Sequence, residues 1–242
     1  MSGHSKWATT KRKKWAVDAK RSSLFTKLAN GITIAARNGG DPSMNFALRL
    51  AVDRAKAASM PKENIERAIK RGTGELGGAA IEEIIYEGYG PGGVAILIQC
   101  LTDNRQRTVS NIRSLFNKFA GSLAEAGSVA YLFEKKGQII ISQSANQLAN
   151  LSADKLEELI IESGAENYDF EDGQYLVYTR FEDLQKVVDF FQQNELIFDS
   201  SEIIYLPKTT IKIDESKQSS LDNLLDALDD NDDIANVYAN MD

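Results

Sequence analysis

Residues 84–101, IIYEGYGPGGVAILIQCL, are where the pattern of the chain changes. Two apolar runs rich in β-branched and aromatic residues, 84–89 and 94–101, flank Gly90-Pro91-Gly92-Gly93, an arrangement that predicts a β-hairpin. Apolar residues before this hairpin recur at helical spacing; after it, strand and helix patterns alternate. Gly88, Gly90 and Gly93 also match G-x-G-x-x-G, which cradles a pyrophosphate only when it leads into a helix. A strand follows instead, Pro91 lies inside the loop and no Gly-Lys-Ser/Thr accompanies it, so the loop reads as a turn.

Working back toward the start, Leu24, Leu28, Ile32 and Ala35 or Ala36 mark a first helix from Asp18, stopped by Asn38-Gly39-Gly40. Asp41 is the expected cap and Pro42 the expected start of a second helix, whose buried face carries Leu48, Ala51, Val52 and Ala55. Pro61 opens a third with Ile65, Ala68 and Ile69, and Gly72 ends it. Arg67, Lys70 and Arg71 complement the dipole of that last turn. Residues 72–80, GTGELGGAA, lose all periodicity and mark a boundary. Residues 1–75 are therefore read as a basic helical domain.

Beyond the hairpin, Val109, Ile112, Leu115, Phe116 and Phe119 predict a helix over 107–119. Then come a strand at 139–141, a helix capped by Ser152, a hairpin of 167–170 with 175–178, a helix over 184–191 and a strand over 197–206. That is β-α-β-β-α-β, the ferredoxin-like order, assigned to 131–207. Strand 209–213, helix 221–228 and strand 234–238 remain. Three elements cannot cover a sheet alone, so 80–130 joins 208–242 in a discontinuous α/β domain with the ferredoxin-like unit inserted. The expected class is α+β, multidomain.

Charge divides the chain in the same place. Residues 1–71 hold 16 Lys+Arg against 5 Asp+Glu, a net of +11; residues 72–242 hold 12 against 30, a net of −18, within an overall −7. Local charge sets the surface field, so one end suits a polyanion although the whole is acidic. The positive charge is densest in 3–27, GHSKWATTKRKKWAVDAKRSSLFTK, where Lys6, Lys11, Arg12, Lys13, Lys14, Lys20, Arg21 and Lys27 face the single acid Asp18. Trp7 and Trp15, the two tryptophans of the chain, are interleaved among them. Such cations neutralise phosphates and release counterions, and indoles stack on unpaired bases. A merely solvating tail gains nothing from two indoles. These ten residues are the candidate nucleic-acid-binding set.

Other chemistries find little support. His4 is the sole histidine and Cys100 the sole cysteine, too few for a zinc site of the usual kind, and Cys100 reads as a small buried apolar residue. The run Asp229-Asp230-Asn231-Asp232-Asp233 lacks the glycine that a calcium loop needs at its sixth position, which is Ile234, and reads as a solvated loop. No catalytic residue, metal, cofactor or small-molecule substrate is assigned, and the expectation is a protein that is not an enzyme. No window approaches 18 apolar residues and no secretory core is present, so no membrane partner is expected. The lone cysteine fits a reducing compartment, the cytoplasm.

Several motifs in fixed order carry a resemblance: MSGHSKW, DAKR, LFTKL, AAR-GG-DP, KAASMPKENIERAIKRGTGE, YEGYGPGG, TDNRQRT and SVAYLFEKKG. Together they resemble the YebC/PmpR family over the whole chain, most densely from 2 to 137. The resemblance implies a three-domain cytoplasmic protein, an all-helical N-terminal domain with two α/β domains, described in the family as a DNA-binding transcriptional regulator. It also implies an alternative, since mitochondrial relatives resemble translational activators and bacterial members are linked to ribosomes stalled on proline-rich sequences. The family's basic motif falls here on His4, Ser5, Lys6, Trp7, Lys11, Lys13 and Lys14, then on Lys20 and Arg21. Arg12 stands where the family pattern has histidine, Thr9-Thr10 where it has Asn-Ile, and no proline follows Asn45. The expected function is a non-enzymatic nucleic-acid-binding regulator of gene expression. A ribosome- or rRNA-contacting translation factor is the alternative, followed by an adaptor whose acidic domains bind protein.

Overall fold

A computed structural model describes residues 18–148 and 151–241. The chain divides into two compact units, one running up to Glu134 and resuming at Leu206, the other Lys135–Tyr205.

The first unit begins with α1 (Asp18–Ala35), a 3-10 turn (Ala36–Asn38), α2 (Phe46–Ala57) and α3 (Lys62–Gly72). Leu28, Ile32 and Ala36, then Leu48, Val52 and Ala55, then Met60, Ile65 and Ala68 close into one core. The second helix starts later than Asp41 and Pro42 suggest. Asp41 Oδ1 accepts from the Ser43 amide at 2.9 Å and lies 2.8 Å from its hydroxyl, closing a turn of its own. Asn45 is the cap instead: its Oδ1 accepts from the Leu48 amide at 3.1 Å, and its Nδ2 donates to the Ala35 and Gly39 carbonyls at 2.8 Å each. One buried amide thus ties the end of α1 to the start of α2.

After the exposed segment 73–80 come β1 (Glu82–Tyr89), β2 (Ala95–Thr102), α4 (Arg105–Lys118) and the three-residue β3 (Ser122–Ala124). β1 and β2 form the expected hairpin in unbroken antiparallel register from Glu82↔Thr102 to Tyr89↔Ala95, and β3 pairs with the other edge of β1. β3 is too short to leave an alternation in the sequence.

The second unit is built on β4 (Phe133–Ser142), α5 (Gln143–Leu148), α6 (Ala153–Glu162), β5 (Asn167–Glu171), β6 (Gln174–Arg180), α7 (Leu184–Gln193) and β7 (Ser200–Pro207). Its sheet runs β5-β6-β4-β7. Leu156, Leu159 and Ile160 of α6 and Leu184, Val187, Val188 and Phe191 of α7 are buried with Ile139, Ile141 and Val177 of the strands. The last strand begins at Ser200 rather than 197. Asn146 takes both main-chain groups of Ile197, donating to its carbonyl at 2.7 Å and accepting from its amide at 3.0 Å, which removes them from the ladder.

The chain then returns to the first unit with α8 (Glu215–Asp229) and β8 (Ile234–Ala239). β8 lies antiparallel beside β2, completing the order β3-β1-β2-β8. Val94, Ile96, Ile98 and Cys100 share one core with Ile112 and Phe116 of α4, Leu221, Leu224, Leu225 and Leu228 of α8, and Ile234 and Val237 of β8. The run 209–213 is not a strand: it makes a single parallel bridge, Ile211↔Met241. Its apolarity is explained by Ile211 and Ile213 packing against this core.

Candidate nucleic-acid interface

Of the ten candidate residues, Lys6, Trp7, Lys11, Arg12, Lys13, Lys14 and Trp15 lie outside the described residues. Lys20 falls in the first turn of α1. Arg21, the next residue, is exposed, its guanidinium carbon 5.4 Å from the centre of the Phe25 ring, so the charge is presented on an aromatic support. Lys27 is placed differently. Its ammonium bonds to the main-chain carbonyl of Asp229 and sits 3.6 Å from the carboxylate of the same residue, with the side chain only 12% exposed.

Lys27 belongs to a series of polar contacts that fasten the helical part to the α/β part of the first unit. Asn30 Nδ2 donates to the Leu101 carbonyl at 3.3 Å, and Arg37 donates to that of Ile81. Arg71 Nη2 donates to the Ala79 carbonyl at 3.1 Å, so this cation of α3 holds the connecting segment. Beside these contacts opens a cleft of about 470 Å³, lined among others by Thr26, Asn30, Arg71, Arg107, Asn111 and Asp232.

The TDNRQRT motif supplies the wall opposite α1. Asn104 Oδ1 accepts from the Arg107 amide at 3.0 Å and caps α4. The Arg107 guanidinium engages Asp233 through Nη2 to Oδ1 at 2.8 Å and Nε to Oδ2 at 3.2 Å, and reaches Asp103 at 3.1 Å. The Thr108 hydroxyl lies 2.8 Å from both Asp233 Oδ2 and Thr102 Oγ1. The acidic run 229–233, expected to be a solvated loop, is solvated only in part. Its middle is exposed at Asp230 and Asp232, while Asp229 and Asp233 at its two ends are held by cations from α1 and α4. Beneath lies Cys100, whose thiol is pushed up to about 12 by burial, with Asp233 adding to the shift and Lys27 opposing it. It is an inert core residue.

Two further groups escaped the sequence reading. Arg37 and Arg71 hold backbone across the segment that joins the helical and α/β parts, contacts that no local spacing announces. The other group is the exposed side of α4, where Arg105, Arg113 and Lys118 stand in a helix that contains no acid. That signal was present in the sequence as a local reversal of charge within the acidic half.

Comparison with known proteins gives consistent matches. Residues 5–75 match the family model described as the TACO1/YebC protein N-terminal domain, and residues 81–241 match the TACO1/YebC second and third domain. A protein of Geobacter sulfurreducens named "Probable transcriptional regulatory protein" is 50% identical over 243 residues, covering 100% of this chain and 96% of the relative. One of Chlorobaculum tepidum with the same description is 51% identical over 244 residues, covering 100% of this chain and 95% of the relative. Among solved structures, the crystal structure of a conserved hypothetical protein from Aquifex aeolicus superimposes with a TM-score of 0.84 at 42% identity, over 93% of this chain and 91% of that one.

Proposed function

Since this chain belongs to the YebC/PmpR family, we propose that it is a cytoplasmic regulator of gene expression that binds nucleic acid and catalyses no reaction, acting first as a DNA-binding transcriptional regulator. The observation that carries this reading is the separation of charge, +11 over residues 1–71 against −18 over 72–242. A field of that shape draws a polyanion to one end and repels it from the rest. The contact set is Lys6, Trp7, Lys11, Arg12, Lys13, Lys14, Trp15, Lys20 and Arg21; Lys27, held by Asp229, contributes to the local field from inside the fold. The relatives named as transcriptional regulatory proteins support the regulatory part.

The accompanying domain division is 1–75, then 80–130 with 208–242, with 131–207 inserted as a ferredoxin-like domain. The strand order β5-β6-β4-β7 supports the last assignment.

One observation favours a second reading, contact with ribosomal RNA in a translation factor. Trp7 and Trp15 interleave with the lysines, and folded RNA offers unpaired bases for indoles to stack on where duplex DNA does not. Crosslinking the full chain to nucleic acid in cells and sequencing the recovered fragments separates the two. Genomic DNA is the expected product, and predominant recovery of one rRNA locus would replace transcription with translation. In vitro, changing Lys13 and Lys14 together to glutamine is expected to weaken binding to all sequences alike and to flatten the slope of log affinity on log salt by roughly one to two. Binding insensitive to both salt and this double change would remove the basic segment as the binding surface.

A further inference from the structure

Helix α4, RQRTVSNIRSLFNK, is anomalous for its surroundings: it carries Arg105, Arg107, Arg113 and Lys118 and no acid, within a stretch whose net charge is −18. Its inner face is Thr108, Ile112 and Phe116, all buried. The outer face presents Ser110, Asn111, Arg113, Ser114 and Lys118, all exposed, while Arg105, on the stripe of Thr108, Ile112 and Phe116, is exposed in the first turn. Arg107 is committed to Asp233 and Asp103. The other three cations form no ion pair among the described residues, and Lys118 Nζ is held 5.0 Å from the centre of the Phe119 ring.

From this face we infer a second nucleic-acid contact, in which α4 grips the phosphodiester backbone of the molecule bound by the basic N-terminal segment. The inference rests on the nucleic-acid reading given above and extends it to the acidic half of the chain. Charge complementarity selects the partner. The outer face lacks the apolar residues with which an amphipathic helix enters a membrane interface, and it lacks the aromatic anchor that centres a protein–protein contact. Arginine, lysine, serine and asparagine are the side chains that hold phosphate and sugar without reading sequence. The face is also continuous with the helical part, because Arg107 and Asn111 line the same cleft as Thr26, Asn30 and Arg71.

The test compares two full-length variants with the unmodified chain: the α4 variant Arg105→Gln/Arg113→Gln/Lys118→Gln, and the arm variant Lys13→Gln/Lys14→Gln. Affinity for a mixed-sequence single-stranded RNA, a hairpin RNA and a duplex DNA, each about 20 nucleotides per strand, is measured by fluorescence anisotropy from about 50 to 200 mM salt. Losing three phosphate contacts is expected to flatten the log–log slope by about two on single strands and nearly three on duplex, and to weaken binding roughly 10- to 100-fold at low salt. Arg105→Lys/Arg113→Lys, which keeps charge and fold, should retain the original slope. If the α4 variant keeps that slope while the arm variant flattens it, the α4 contact is overturned and the arm reading stands. If neither changes it, both fail. Sedimentation velocity without nucleic acid covers the remaining occupant: self-association abolished in the α4 variant assigns this face to the acidic surface of a second copy and overturns the inference.

Discussion

Lys27 and Asp229 are 202 residues apart in sequence and in contact in the fold, the ammonium reaching both the carbonyl and the carboxylate of the aspartate. The pair ties the N-terminal helix to the end of α8. Lys27→Met keeps the stem but removes the charge that faces the half-buried Asp229. Urea unfolding is expected to show a loss of about 1–3 kcal/mol, the range for a hydrogen bond to a charged group. Because the ammonium is already engaged, the same change should leave the salt slope of nucleic-acid binding nearly intact, unlike the Lys13/Lys14 double change.

Glu87 is a buried carboxylate whose Oε1 accepts from the Gly127 amide at 2.6 Å and whose Oε2 accepts from Val129 at 2.6 Å and Ala130 at 2.8 Å. Burial opposes its ionisation, and the three amides outweigh burial, so its pKa falls below the ordinary 4.5. A carboxylate with a lowered folded pKa contributes stability that is present above its unfolded pKa and is lost as pH falls through the folded value. Glu87→Gln should therefore cost about 1–3 kcal/mol at neutral pH. Guanidinium unfolding at stepped pH should show the gap to the unmodified chain closing below 4.5; a gap constant down through that range would mean Glu87 is not ionised in the fold.

Gly88 lies against the ring of Phe116, where a Cβ would meet Cε1 at 2.6 Å and the Ser122 carbonyl oxygen at 2.8 Å. Gly88→Ala is expected to cost about 1–3 kcal/mol by overpacking. Phe116→Leu should relieve part of that cost, so a double-mutant cycle on unfolding free energies should show favourable coupling, whereas strict additivity would argue that the strand shifts away.

Trp7→Ala and Trp15→Ala should each weaken binding to unpaired RNA by about 1–3 kcal/mol, with little effect on duplex DNA and none on the salt slope. Anisotropy titrations on the two substrates check this, and equal losses on both would mean the indoles do not stack on bases.

The two places where the chain leaves and re-enters the first unit meet closely, since the Lys208 amide donates to the Leu132 carbonyl at 2.8 Å and Lys208 Nζ to the Tyr131 carbonyl at 2.9 Å. Excising 135–205 and bridging the gap with a short Gly/Ser linker should leave the β3-β1-β2-β8 sheet folded, because that sheet carries its own core. Heteronuclear NMR should preserve the dispersed amide signals of β1, β2 and β8; their collapse would show the remaining part to depend on the second unit.

Much of the architecture was legible because local chemistry dictates it. Pro61 at the head of α3, Ser152 capping α6 through the Lys155 amide, and the Gly90-Pro91-Gly92-Gly93 turn each satisfy or redirect backbone within a few residues. The fold departs from that local pattern where a side chain bonds to the backbone of another element or turn. Asn45 displaced Asp41 as cap because it can also reach Ala35 and Gly39, and Asn146 shortened the last strand by occupying Ile197.

The amino-acid sequence alone determined the helical start, the hairpin that ends it, the alternation that follows and the opposite charges of the two halves. These depend on side-chain period and on the sum of charges, both properties of neighbours along the chain. Only the tertiary structure decided that Lys27 is turned onto Asp229, that Arg107 closes on Asp233, and that Arg105, Arg113 and Lys118 are left exposed. Whether a cation is available to a ligand depends on which carboxylates the fold brings within hydrogen-bonding distance, and those carboxylates lie more than a hundred residues away.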